Sequence, residues 1–136
     1  MKILDGKGLS LELQAEIAFQ VEMHVSNGGR KPHLAAVLIG DNPASKAYVG
    51  HKVKACAKAG FESSLVERSN NVSQEELLKI VHDLNEDDSI DGFIVQLPLP
   101  SHIDDQAIIE AVKPSKDVDG FHPENVGRMA LGLPTF

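Results

Sequence analysis

A chain of 136 residues, 42% of them hydrophobic, has the size of one domain and too apolar a composition for a disordered one. Its net charge of −7, from 13 basic and 20 acidic residues, argues against a general nucleic-acid binder, and one tyrosine with no tryptophan leaves little for base stacking. A single cysteine, Cys56, excludes a disulfide framework or a cysteine-rich zinc site. The absence of a bilayer-length apolar run or an apolar N-terminal signal region points to a cytoplasmic protein with no membrane partner.

Taken in chain order, Leu9, Leu13, Ile17, Val21 and Val25 recur every four residues and predict an amphipathic helix that stops at Asn27-Gly28-Gly29. The apolar run 33–40 (HLAAVLIG) predicts a buried parallel strand. Asn42 and Pro43 then offer an N-cap and a first helical position for a helix ending at Gly60. Residues 62–68 read as a second strand. Ser73-x-x-Glu76 is a capping box for a third helix, with Leu77, Ile80, Val81 and Leu84 on its apolar face. Asp91-Gly92 turns the chain into a third strand, FIVQL, which Pro98 and Pro100 end; residues 104–112 read as a short fourth helix. Strands alternating with helices predict a three-layer αβα domain with a mostly parallel sheet covered on both faces. Its ligand cleft is expected at the carboxyl ends of the strands.

Tyr48 and Lys52 stand four residues apart, one turn apart on a helix face. That helix begins at the carboxyl end of the first strand, and Gln96 lies near the carboxyl end of the third, so both address one rim. Lys52 is a candidate base if burial disfavours its ammonium form; its bland alternative is an exposed helix lysine. Gln96 interrupts an apolar strand and needs a partner, which the Lys52 amine could be. Tyr48 can stack on a flat ligand or simply pack. Asp117 and Asp119 sit in DVDG, where a carboxylate can accept two N–H groups of an aminopyrimidine or merely shape the turn before Gly120. Lys46, Lys52, Lys54 and Lys58 make a local positive field suited to a small anion, or a solvated helix face. The six histidines lack metal-ligand spacing, Cys56 reads as a core residue, and no glycine-rich phosphate loop follows a strand.

Three motifs in order carry a family resemblance: Ser45-x-x-Tyr48-Val49-x-x-Lys52, Val95-Gln96-Leu97-Pro98-Leu99-Pro100, and Lys116-Asp117-Val118-Asp119-Gly120. With LDGK at 4–7 and FHPENVGR at 121–128, the chain resembles the N-terminal catalytic domain of the methylenetetrahydrofolate dehydrogenase/methenyltetrahydrofolate cyclohydrolase family over essentially its whole length, 1–136. The resemblance implies that Lys52 is the acid–base residue of the cyclohydrolase step, that Gln96 positions it, that Tyr48 orients the folate and that Asp119 grips the pterin. Val95, Leu97 and Pro98 would line the cleft. It implies tetrahydrofolate substrates, oxidation with NADP and no metal. It also implies a homodimer, and a downstream Rossmann-type NAD(P) domain that is not in this sequence. The apolar ending GRMALGLPTF adds to the expectation of a fragment, and such a half-cleft is expected to turn over little by itself. A folate-binding module without turnover is the alternative, and an unrelated flavodoxin-like interaction domain is a weaker one.

Overall fold

The computed structural model describes residues 3–135. Phe136, at the tip of the apolar ending, lies outside the described residues. Three parallel strands, β1 (His33–Ile39), β2 (Glu62–Arg68) and β3 (Gly92–Val95), form a sheet of order β2-β1-β3. Helices α1 (Gly6–Ser26), α2 (Pro43–Lys58), α3 (Gln74–Glu86), α4 (Asp105–Ala111) and α5 (Pro123–Ala130) and a 3-10 turn (Pro114–Lys116) complete the chain. A central strand must bury both faces, and β1 does so: Ala35, Val37 and Ile39 face one side, Ala36 and Leu38 the other.

The first side holds most of the core. Leu77 and Val81 of α3, Ile108 of α4, Phe93 of β3 and Ile90 close over β1 there. The second side is thinner. Val49 of α2 is buried against Ala36, Leu38 and Ile94, with Val53 packed beside them. The αβα order is as expected, with all strands parallel.

Local chemistry explains most boundaries. The Asn42 side chain accepts the backbone N–H groups of Ala44 at 2.9 Å and Ser45 at 3.2 Å, and Pro43 occupies the first turn of α2. Ser73 Oγ accepts Glu76 N–H at 3.1 Å to open α3. The reciprocal half of that box is absent, because Glu76 turns to Arg68 at 3.3 Å. β3 is shorter than predicted. It ends at Val95, although Gln96 N–H still reaches Val37 O at 2.9 Å, and the Leu97–Pro98 bond is cis. α5, which periodicity did not announce, is capped by His122 Nδ1 accepting Glu124 N–H, with Pro123 in the first turn.

α1 corrects an expectation. The helix forms, capped by Asp5, yet only Val21 is buried, while Leu9, Leu13, Ile17 and Val25 remain exposed together with Leu11, Phe19 and Met23. The physical reason lies in the spacing. A helix turns every 3.6 residues, so residues four apart advance about 40° per step and wind around the cylinder instead of lining one face. The sheet face on this side is already occupied by α2, and Val21 approaches Gly60 just beyond it.

At the amino-terminal rim, Arg30 grips Asp91 through Nη1 at 2.6 Å and Nη2 at 2.7 Å, and Asp91 also accepts His33 N–H at 2.8 Å. This fork locks the entries to β1 and β3 together, opposite the candidate site.

Candidate active site

The site is assembled from α2 and from the DVDG turn. In the middle of α2, Val49 points into the sheet, which leaves Tyr48 and Lys52 on an outward stripe. The turn follows the 3-10 segment and runs beside β3, where Asp117 pairs as an isolated parallel bridge with Phe93. Lys52 Nζ meets Asp119 Oδ1 at 3.0 Å, joining positions 67 residues apart, and the same ammonium lies 4.9 Å from the centre of the Tyr48 ring. Both charged side chains are partly shielded, at 23% and 29% exposure, while Tyr48 is 54% exposed.

The Lys52 side chain, 23% exposed, sits among polar and aromatic groups. Its neighbours are a carboxylate and a π face, both of which attract an ammonium. Gln96 is placed on the rim but does not bond Lys52. Its Nε2 donates to Leu97 O at 2.7 Å, satisfying the amide locally. Val95 and Leu97 line a small cleft with Asp119, Phe93, Ile94 and Phe121. Pro98 lies elsewhere, in a second cleft with Ile39, Asp41, Asn42 and Asn70 at the start of α2. The structure thus brings together Lys52, Tyr48 and Asp119, sets Val95 and Leu97 beside them, and leaves Gln96 and Pro98 on separate contacts.

The KDVDG motif divides its labour, which its letters do not reveal. Lys116 Nζ donates to the carbonyls of Leu84 at 2.9 Å and Asp87 at 2.7 Å, closing the carboxyl end of α3, where the helix supplies no basic residue of its own. Asp117 is buried and accepts three N–H groups. Val118 leans on Gly92, where an added Cβ would collide with Val118 Cγ1. Gly120 takes φ +71°, a left-handed conformation that glycine adopts freely. Asp117 and Asp119 both border the cleft, and of the two only Asp119 pairs with Lys52. Asn125 is the residue that sequence reasoning passed over, and Asp117, named there beside Asp119, shapes the turn.

The other candidates resolve into structure. Cys56 is buried on α2, and burial pushes its thiol up, away from nucleophilic use. His33 bonds Ser64 Oγ at 2.6 Å and His102 bonds Val72 O at 2.9 Å. Among the described residues, no three His, Cys, Asp or Glu side chains cluster as metal ligands would. The β1–α2 turn is where a Rossmann-type unit would receive a dinucleotide. Here the residues do not fit one: the Asn42 side chain already takes two N–H groups of the helix start, Pro43 removes a third, and Asp41 brings a negative charge.

Residues 4–119 match the model of the tetrahydrofolate dehydrogenase/cyclohydrolase catalytic domain. The chain is 58% identical, over 135 residues, to the bifunctional protein FolD of Porphyromonas gingivalis, covering 99% of this chain and 46% of that protein. It is 47% identical to the crystal structure of the bifunctional FolD methylenetetrahydrofolate dehydrogenase/cyclohydrolase of Campylobacter jejuni, with a TM-score of 0.94 over 98% of this chain and 47% of that one. A Trypanosoma brucei methylenetetrahydrofolate dehydrogenase-cyclohydrolase complexed with NADP cofactor and inhibitor superposes with a TM-score of 0.89 at 38% identity, over 94% and 43% of the two chains. The chain spans about half the length of the relatives it matches.

Proposed function

This chain belongs to the tetrahydrofolate dehydrogenase/cyclohydrolase family, and from that premise we propose that it is the folate-handling half of an enzyme of one-carbon metabolism. The enzyme oxidises 5,10-methylenetetrahydrofolate to the methenyl form with NADP and hydrolyses that to 10-formyltetrahydrofolate. Hydride acceptance falls to NADP, held by a Rossmann-type domain in the part of the relatives that this chain does not span. The enzyme works in the cytoplasm as a homodimer.

The observation that carries the reading is the Lys52–Asp119 pair seated on the Tyr48 ring at the carboxyl rim of the sheet. Asp119 grips the amino and ring N–H groups of the pterin. Such a bidentate donor edge needs both carboxylate oxygens, and Lys52 already holds Oδ1. Each oxygen has two lone pairs, so the pterin shares the carboxylate with Lys52 and weakens its hold on the amine. Once its ammonium proton has passed to solvent, the Lys52 amine, beside the methenyl carbon, takes a proton from the attacking water and returns one to the nitrogen that leaves as the ring opens. Tyr48 stacks on the ligand, and Val95 and Leu97 give the cleft an apolar wall. Gln96, once it exchanges Leu97 O for Lys52, steadies the amine.

The exposure of Tyr48 favours a second reading for the isolated 136 residues, that they bind folate with little turnover. One experiment addresses both. In the protein as encoded, Lys52→Met is expected to slow methenyltetrahydrofolate hydrolysis, followed by its absorbance, about 100- to 10,000-fold. Folate binding, measured by calorimetric titration, should persist. Hydrolysis at the wild-type rate would remove Lys52 from its role.

A further inference from the structure

We infer that Asp117 is the positioning residue that holds Asp119 against Lys52, with Asn125 as the clamp on Asp117. The inference rests on the reading of Lys52 and Asp119 as the working pair.

Two carboxylates two residues apart meet opposite fates. Asp119 is on the rim, and its recorded hydrogen bond is to Lys52. Asp117 is 5% exposed and, among the described residues, forms no ion pair; neutral donors surround it instead. Its Oδ1 accepts Gly120 N–H at 3.0 Å, and its Oδ2 accepts His122 N–H at 2.8 Å and Asn125 Nδ2 at 3.0 Å. Asn125, itself buried, spends the same amide nitrogen on Pro114 O at 2.9 Å, so α5 is tied to both ends of the segment that precedes Asp119.

A turn-forming aspartate needs one such bond, to the N–H that follows it. Asp117 makes three, and they straddle Asp119: the backbone is fixed at 117 by the bridge to Phe93 and at 120 and 122 by the carboxylate. Every neighbour of Asp117 donates. An asparagine there would have to present its own N–H₂ to a donor, so the position requires an acid and not merely a polar residue. A buried charge is costly unless it is fully hydrogen-bonded, and here that cost is met by fixing the loop. The ligand thus encounters a carboxylate whose backbone is already in place, and less ordering remains to be done on binding.

The test is a double-mutant cycle in the protein as encoded. Hydrolysis of methenyltetrahydrofolate and thermal melting are measured for Asp117→Asn, Asn125→Ala, Asp119→Asn and the two doubles that contain Asp119→Asn. Asp117→Asn is expected to lower kcat/KM about 100-fold, the scale of a misplaced reacting group. It should add nothing once Asp119 is replaced, because its effect passes through that side chain. Asn125→Ala should show a smaller loss with the same dependence on Asp119, and it carries the cycle if Asp117→Asn does not fold. Losses that multiply in the doubles, as a merely structural role would give, overturn the inference. A crippled Asp119→Asn beside a fully active Asp117→Asn overturns the positioning role alone, whereas full activity in Asp119→Asn overturns the site reading together with it.

Discussion

The two faces of the sheet are built to different standards. On the α3–α4 face, Leu77, Val81, Ile108 and Phe93 interlock over Ala35, Val37 and Ile39. On the α2 face, Val49 and Val53 pack on Ala36, Leu38 and Ile94, and α1 stands outside with most of its apolar side chains exposed. The well-packed face carries stability. The thin one bears Tyr48 and Lys52, because a helix held by one inward row leaves its next row facing outward.

The contrast is most sharply tested at Phe93. Phe93→Ala is expected to cost this 136-residue chain about 4 kcal/mol in urea denaturation, since a large side chain that is 1% exposed leaves a cavity its neighbours cannot fill. On the other face, Val49→Ala should cost about 2 kcal/mol, the transfer of two methyl groups plus a small void. Equal losses would erase the distinction between the faces. Smaller still is Leu13→Gln on α1, expected within about 0.5 kcal/mol because the side chain is already half exposed, at 48%. A loss as large as that of Val49→Ala would place α1 in the core and break the comparison.

A pH series sharpens the role of the opposite rim. Burial pushes the Asp91 carboxyl up, but the bonds from Arg30 and from His33 N–H outweigh it, and the group is held below its ordinary value. The folded state then binds fewer protons than the unfolded one as pH falls through the carboxylate range. The stabilisation is complete well above pH ~4 and is lost with acidification below it. Asp91→Asn should flatten that acid limb and leave the site's kinetics unchanged. An unaltered acid limb would show that the fork is too exposed to count.

What the sequence disclosed follows the range of the forces involved. The starts of α2 and α3 and the whole of β2 were legible because caps, prolines and strand residues act on their immediate neighbours. The rim that holds Tyr48, Lys52 and Asp119 was legible too, since topology brings strand ends together and the motifs agree with it. The surroundings of α1 were not, because a spacing of four says that a helix forms but not what covers it. The partner of Gln96 escaped for a similar reason: a local carbonyl, Leu97 O, competes with a distant amine, and periodicity cannot rank them. Asp117 was visible as a turn acid, but its burial and its partner Asn125 were not, because they depend on α5, a helix of eight residues whose cap is a histidine.

The ion pair at the centre of the site joins side chains 67 residues apart. During synthesis, Lys52 leaves the ribosome well before Asp119 exists, and it waits while β2, α3, β3 and α4 are made and docked. The pair is a late-forming, non-local contact that no early subset of the chain can supply. The contact is therefore also a certificate of assembly: a molecule in which Lys52 meets Asp119 has already brought its second helix and the turn beyond its last strand to the same place.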